Sequence, residues 1–372
     1  MDAFENMENY TTPVNFSSLN DSFTFTMADR YLHSLGFVLP EPLSEELKIF
    51  LIVWYSIIMT GAIIGNLLVI IVILGNKPMR TITNVFLVSL SISDTLIAGW
   101  NMPIQLGYYV HNEWTLGEVM CKLSTYVQTV NVQASIFTLT AVAIERYYAI
   151  SYPLRSRHVR TATRAGVLLV IIWIITLLLS MPSWWIQRTE PRLVLQLDKI
   201  PQFRFAYVCA EKYKKQIYDV VHTFFILFLN YVIPMVIMMC AYGMIAFRLW
   251  IQKPIGDSGS RPQYLARSNS QKKKIIKMLI ALVIIFGVCW LPFFAIQVYH
   301  LNHDMTEEFR VGLAIVHLIG YSNSLLNPIV YGFMNGNFKR HLKAMCIKFR
   351  KQSSFRLGRN PNNINITVES VM

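Results

Sequence analysis

Charge is what this chain has least of. Only 15% of its 372 residues are Asp, Glu, Lys or Arg, whereas 54% are hydrophobic and the mean hydropathy is +0.40. A soluble domain has about 25% charged residues, so an ordinary globular protein is excluded and a membrane protein is implied. Cysteine is also scarce: five residues are too few for a disulfide scaffold. Only Cys121 and Cys209 flank segments read as outside the cell, and one extracellular bridge is the natural expectation. No basic n-region with an early apolar stretch is present, so no cleaved signal peptide is expected and the first apolar run would act as a signal anchor. Catalytic signatures are missing too. His222 and His317 stand singly, with no His-x-x-x-His, Gly-x-Ser-x-Gly or aspartate pair beside them, so an enzyme is not expected.

What is there is a series of apolar runs, seven in all, near 49–75, 83–110, 119–151, 165–187, 217–250, 275–301 and 309–334. The formal charge of +13 does not mark a nucleic-acid surface, because the basic residues sit in short segments between these runs. Lys77 and Arg80 follow the first run, Arg155, Arg157, Arg160 and Arg164 the third, and Lys272, Lys273, Lys274 and Lys277 precede the sixth. Positive loops face the cytoplasm, so the N-terminus is expected outside and the C-terminus inside a plasma-membrane protein. The acidic, polar N-terminus agrees: Asn9, Asn15 and Asn20 each begin a glycosylation triplet. The expected fold is an all-α seven-helix membrane bundle over 48–334, after an extracellular tail at 1–47. An amphipathic membrane-surface helix at 335–348, alternating apolar and basic residues, and a disordered cytoplasmic tail at 349–372 complete it. Cys346, at the end of that amphipathic stretch, is a candidate palmitoylation site.

Several runs carry residues that a lipid-facing helix would avoid: Asn66, Asp94, Asn131, Ser135, Asn323, Ser324 and Asn327. Unsatisfied polar groups cost several kcal/mol each in hydrocarbon, so these must face one another or internal water. Pro103, Pro182, Pro234, Pro292 and Pro328 interrupt five different runs, each removing a backbone hydrogen bond and inviting a kink. Between runs, Arg188 to Lys215 reads as a long charged loop and Gln252 to Gln271 as a flexible linker. The third run ends in Glu145-Arg146-Tyr147. A carboxylate and guanidinium at the foot of a membrane helix are costly unless paired or wetted, so they form either a pin or a switch.

Taken in order, these residues resemble the rhodopsin-like family of G-protein-coupled receptors. The resemblance rests on Gly65-Asn66, Leu90 and Asp94, Trp114 with Gly117, Cys121, Glu145-Arg146-Tyr147 and Trp173. It continues with Pro234 and Tyr242, Phe286 with Cys289-Trp290-Leu291-Pro292, and Asn327-Pro328 with Tyr331. It implies an ion pair of Glu145 with Arg146 at rest, tyrosines Tyr242 and Tyr331 that approach Arg146 when active, and an aromatic switch of Phe286 and Trp290 at the Pro292 hinge. It also implies a sodium and water pocket at Asp94, Asn131, Ser135, Asn323 and Asn327. A heterotrimeric G protein, arrestin, receptor kinases and membrane lipid are the implied partners, and no other cofactor is expected. An odd span count and the lack of an internal repeat weigh against a transporter or channel.

The ligand expected is a peptide, because Gln128 stands where the family's amine receptors carry an aspartate. Tyr126 to Thr129, Leu249 to Asp257 and Ile319 to Ser324 resemble receptors for RFamide-type neuropeptides, the pyroglutamylated branch above all. Orexin, neuropeptide FF and cholecystokinin receptors are the alternatives. Such a ligand needs an acid for its arginine, with Glu211 favoured over Glu118, Asp219 and Asp304. Gln128 and Gln297 are expected to meet its terminal amide. Gln105, His317 and Tyr321 complete the expected pocket.

Overall fold

The computed structural model describes residues 43–152, 162–197, 201–213, 215–250, 262–302 and 307–356. The three glycosylation triplets and Asp304 lie outside these. Among the described residues, seven helices are long and apolar enough to cross a membrane. They are α1 (Glu45–Gly75), α2 (Ile82–His111), α3 (Gly117–Ser151), α4 (Thr163–Ile186), α5 (Gln216–Arg248), α6 (Pro262–His300, with Lys273–His300 as its span) and α7 (Phe309–Met334). Their ends fall within a few residues of the apolar runs read from the sequence.

Local chemistry sets the helix ends. Ser44 caps α1, its hydroxyl accepting from the Leu47 N–H, and Glu45 and Glu46 occupy the positive first turn. Thr81 caps α2 in the same way through Asn84. Two prolines act differently from the kinks expected. Each follows a π turn, Ile97–Asn101 before Pro103 and Phe228–Val232 before Pro234. A proline has no N–H to give and its ring crowds the carbonyl four residues earlier, and widening the turn relieves both. Pro292 and Pro328 lie inside continuous helices.

The bundle closes where α1 meets α7. A Cβ on Gly65 would stand 2.7 Å from the ring Cγ of Pro328, and one on Gly61 would stand 2.6 Å from Leu325 Cδ1. At position 65 only glycine admits the rigid proline ring so close; at position 61 the contact is the flexible end of Leu325. α3 runs through the middle, its buried positions extending from Cys121 to Ser151.

Three local readings are corrected. The charged loop from Arg188 contains an antiparallel hairpin, β1 (Gln187–Leu197) and β2 (Pro201–Glu211), with Thr189 opposite Cys209. The linker ends early, because α6 begins at Pro262, a residue suited to a first helical turn. The surface helix α8 (Gly336–Arg356) continues past 348 into the segment read as tail. Phe338 at its start is buried, while Lys339 and Arg340 are exposed.

Candidate ligand cavity and cytoplasmic switch

The hairpin is held over the bundle from two sides. Cys121 at the top of α3 is disulfide-bonded to Cys209 of β2, their Cα atoms 5.6 Å apart. The Trp114 N–H donates to the Tyr207 carbonyl at 2.6 Å, and the Trp114 indole N–H donates to the Gly117 carbonyl at 2.7 Å. Gly117 takes a left-handed φ of 76° in that corner. Beneath the hairpin lies a cavity of about 450 Å³ lined by residues of α2, α3, β2, α5, α6 and α7.

Gln105, Gln128, Glu211, Gln297 and His317 all line this cavity, as does the rival acid Asp219. Glu118 does not; it pairs with Lys122 at 2.5 Å and Arg188 at 3.0 Å. Tyr321 lies off the wall, fully buried, and its hydroxyl donates to Gln128 Oε1 at 3.0 Å. Among the described residues that line it there is no Lys or Arg, and the carboxylates there are Glu211 and Asp219. His317 belongs to an aromatic ladder: its ring is 5.1 Å from Phe293 and 5.8 Å from Tyr321, and its Nδ1 is 2.8 Å from the Tyr109 hydroxyl. Tyr109 is also hydrogen-bonded to Gln105.

Below the cavity the polar seam expected from the sequence comes together in part. Asp94 is fully buried; its two oxygens accept from the Ser324 hydroxyl at 2.9 Å and the Asn327 amide at 2.8 Å. Asn66 donates to the Ser324 carbonyl at 2.8 Å. Asn131 instead donates to the Val127 carbonyl of its own helix. Asn131 Oδ1, Ser135 Oγ, Asn323 Oδ1 and Asn327 Oδ1 are buried without a protein partner. Phe286 and Trp290 are both buried with ring centroids 6.2 Å apart, and Trp290 reaches Phe293 edge-on at 5.7 Å. The indole lies against Gly320 of α7.

At the inner end Arg146 Nε lies 2.8 Å from Glu145 Oε2, with both side chains mostly buried. This is a close charge contact rather than an aligned hydrogen bond. Arg146 also donates to the hydroxyl of Thr83 on α2, a partner that sequence reasoning missed because Thr83 lies in a run of unremarkable polarity. The Tyr147 ring meets those of Tyr148 and Tyr152 edge-on. Tyr242 and Tyr331 are buried, and the Tyr331 hydroxyl has no protein partner. Cys346 is exposed on α8.

The model of the 7 transmembrane receptor (rhodopsin family) matches residues 65–331. The chain belongs to that family. Among its relatives, a QRFP-like peptide receptor of Branchiostoma floridae is 38% identical over 308 residues, covering 82% of this chain and 79% of the relative. A pyroglutamylated RF-amide peptide receptor of Rattus norvegicus is 30% identical, covering 96% of this chain and 84% of its own. The Homo sapiens substance-P receptor is 34% identical, covering 78% and 69%. This receptor is thus a multi-pass plasma-membrane protein and not an enzyme.

Because the disulfide and the Trp114 contacts fix the hairpin over the cavity, Cys121→Ala and Cys209→Ala should each lose surface delivery or ligand binding to the same extent. The double variant should lose no more. A double variant measurably worse than either single one, by surface immunolabelling and radioligand binding, would contradict a shared bridge.

Proposed function

We propose that this receptor binds a peptide ending in arginine-phenylalanine amide from outside the cell and, by outward movement of the inner half of α6, activates a heterotrimeric G protein. The observation that carries the reading is the hydrogen-bonding polarity of the cavity floor. The Tyr321 hydroxyl occupies Gln128 Oε1, which leaves the Gln128 amide N–H groups for the cavity. His317 Nδ1 lies 2.9 Å from the Leu313 carbonyl and 2.8 Å from the Tyr109 hydroxyl; the carbonyl can only accept, so we assign the proton to Nδ1, shared between the two oxygens, and a neutral ring then presents Nε2 as an acceptor. A donor beside an acceptor is the complement of a primary carboxamide. A free carboxylate would set an anion against the His317 lone pair.

Glu211, on the cavity wall just past Cys209, supplies the carboxylate for the arginine. Gln297, on α6, is the nearest lining glutamine to the Pro292 hinge, so a ligand that engages it pulls on the helix that moves. Raising an active fraction from about 1% to 99% takes about 5.5 kcal/mol of differential binding. A buried amide and one desolvated ion pair are of that order. At the inner end, release of Arg146 from Glu145 and Thr83 would expose a guanidinium to the partner. The names of two of the relatives, a QRFP-like peptide receptor and a pyroglutamylated RF-amide peptide receptor, support an RFamide ligand, and the basic inner loops read from the sequence support an extracellular N-terminus.

Asp94 and the buried, unpartnered oxygens of Asn131, Ser135, Asn323 and Asn327 are the donor chemistry that a small hard cation takes. Together they would hold a sodium ion, whose charge would offset that of the carboxylate.

Two measurements check these readings. An amidated Arg-Phe peptide should be about 100-fold or more potent than its free acid in nucleotide exchange, and Gln128→Ala should weaken the amide without lowering surface expression. Equal potency of amide and acid would sink the ligand assignment. The thermal midpoint of the purified receptor should rise with sodium over potassium in the native protein and not in Asp94→Asn; a rise that survives the substitution would remove the sodium site.

A further inference from the structure

The upper cavity contains a hydrogen-bonded chain that the amide floor does not use. The Tyr213 hydroxyl bridges Glu211 Oε2 and His222 Nδ1, the latter at 2.9 Å. A carboxylate only accepts, so the single phenolic proton goes to Glu211. Burial, then the charge of Glu211, then its hydrogen bond, then the charge of Asp219 hold that phenol well above its ordinary range, and the proton stays in place. Nδ1 of His222 must therefore donate to the phenolic oxygen, and in the neutral ring Nε2 becomes an acceptor. Nε2 is screened from water and has no protein partner, although the ring forms part of the cavity wall.

The same face of α5 repeats the pattern. Asp219, His222 and Thr223 line the cavity above, and Asn230, 2% exposed, lines it lower down in the π turn with its Oδ1 unpartnered. Asp219 itself is only weakly engaged, accepting from Thr223 at 3.4 Å. This wall presents acceptors that the protein does not fill, beside two carboxylates that both act on Tyr213.

We propose that Glu211, Asp219 and His222 Nε2 form one subsite for the guanidinium of the ligand's arginine, and that His222 selects guanidinium over ammonium. The proposal rests on the Arg-Phe-amide reading. A guanidinium has five N–H donors in a rigid plane, so after a carboxylate takes two in parallel the others still point outward to further acceptors. An ammonium places three donors on one atom and is satisfied by the carboxylates alone. His222 is then a specificity-determining residue, and Tyr213 positions it by fixing its tautomer.

The test compares an Arg-Phe-amide peptide with its Lys-Phe-amide analogue on native receptor, His222→Phe, His222→Asn and His222→Gln. Asn places its amide where Nδ1 stands and keeps the bond to Tyr213; Gln places an acceptor where Nε2 stands. The native receptor should prefer the arginine peptide, and His222→Phe and His222→Asn should each lower that preference about ten-fold or more through loss of the arginine peptide's potency. His222→Gln should keep most of it. A preference that survives His222→Phe and His222→Asn overturns the subsite alone, even if both peptides weaken together. A native receptor that answers no Arg-Phe-amide peptide overturns the functional reading and the subsite with it.

Discussion

The carboxylate of Asp94 is the constraint on which the rest of the bundle turns. It is wholly buried at membrane depth, and an unpaired charge there is untenable. Its oxygens are satisfied by Ser324 and Asn327, which fixes α7 against α2 at that depth and in that rotation. Once α7 is so placed, Pro328 meets Gly65 of α1, His317 lines the cavity, Tyr321 bonds Gln128 from behind the wall, and Gly320 lies against Trp290. The cavity floor at His317 and the buried Tyr331 below are set by the same helix. A change in how Asp94 is solvated therefore reaches both ends.

α3 supplies the second line of coupling. Its top is tied by Cys121 to the hairpin, Gln128 farther down lines the cavity, and Arg146 at the foot is held by Glu145 and Thr83. Between them Asn131 and Ser135 leave oxygens unpartnered. Half-satisfied polar groups of this kind are where a second arrangement of the bundle would find hydrogen-bond partners, as the proposed switch requires.

Much of this was legible in the sequence, for physical reasons. Spans were found to within a few residues because hydrocarbon demands about 20 apolar residues whatever the tertiary fold. Asp94, Asn66 and Asn327 were found because a polar residue in such a run has few places to go. Other features were hidden. The π turns depend on how a helix absorbs a proline, and a proline alone does not say whether the helix bends or widens. The hairpin hid behind charge, although Phe203, Phe205 and Tyr207 alternate at a strand's period and mark one face of β2. Tyr109 with His317 and Thr83 with Arg146 join helices far apart in the chain, 208 and 63 residues, and no local pattern announces such pairs. In the sequence His222 is a lone histidine; its meaning comes from the Tyr213 hydroxyl, and no local pattern announces that pair either.

The central claim is that a carboxamide seated at Gln128 and His317 opens the inner end of α6. The most direct test is the distance between spin labels at Lys277 on α6 and Tyr148 on α3, both exposed, in a receptor with Cys240 and Cys346 replaced by serine. The account predicts a longer distance when the amidated peptide is added and none when its free acid is added at the same concentration. An unchanged distance with the bound amidated peptide, or the same lengthening with the acid, would contradict it.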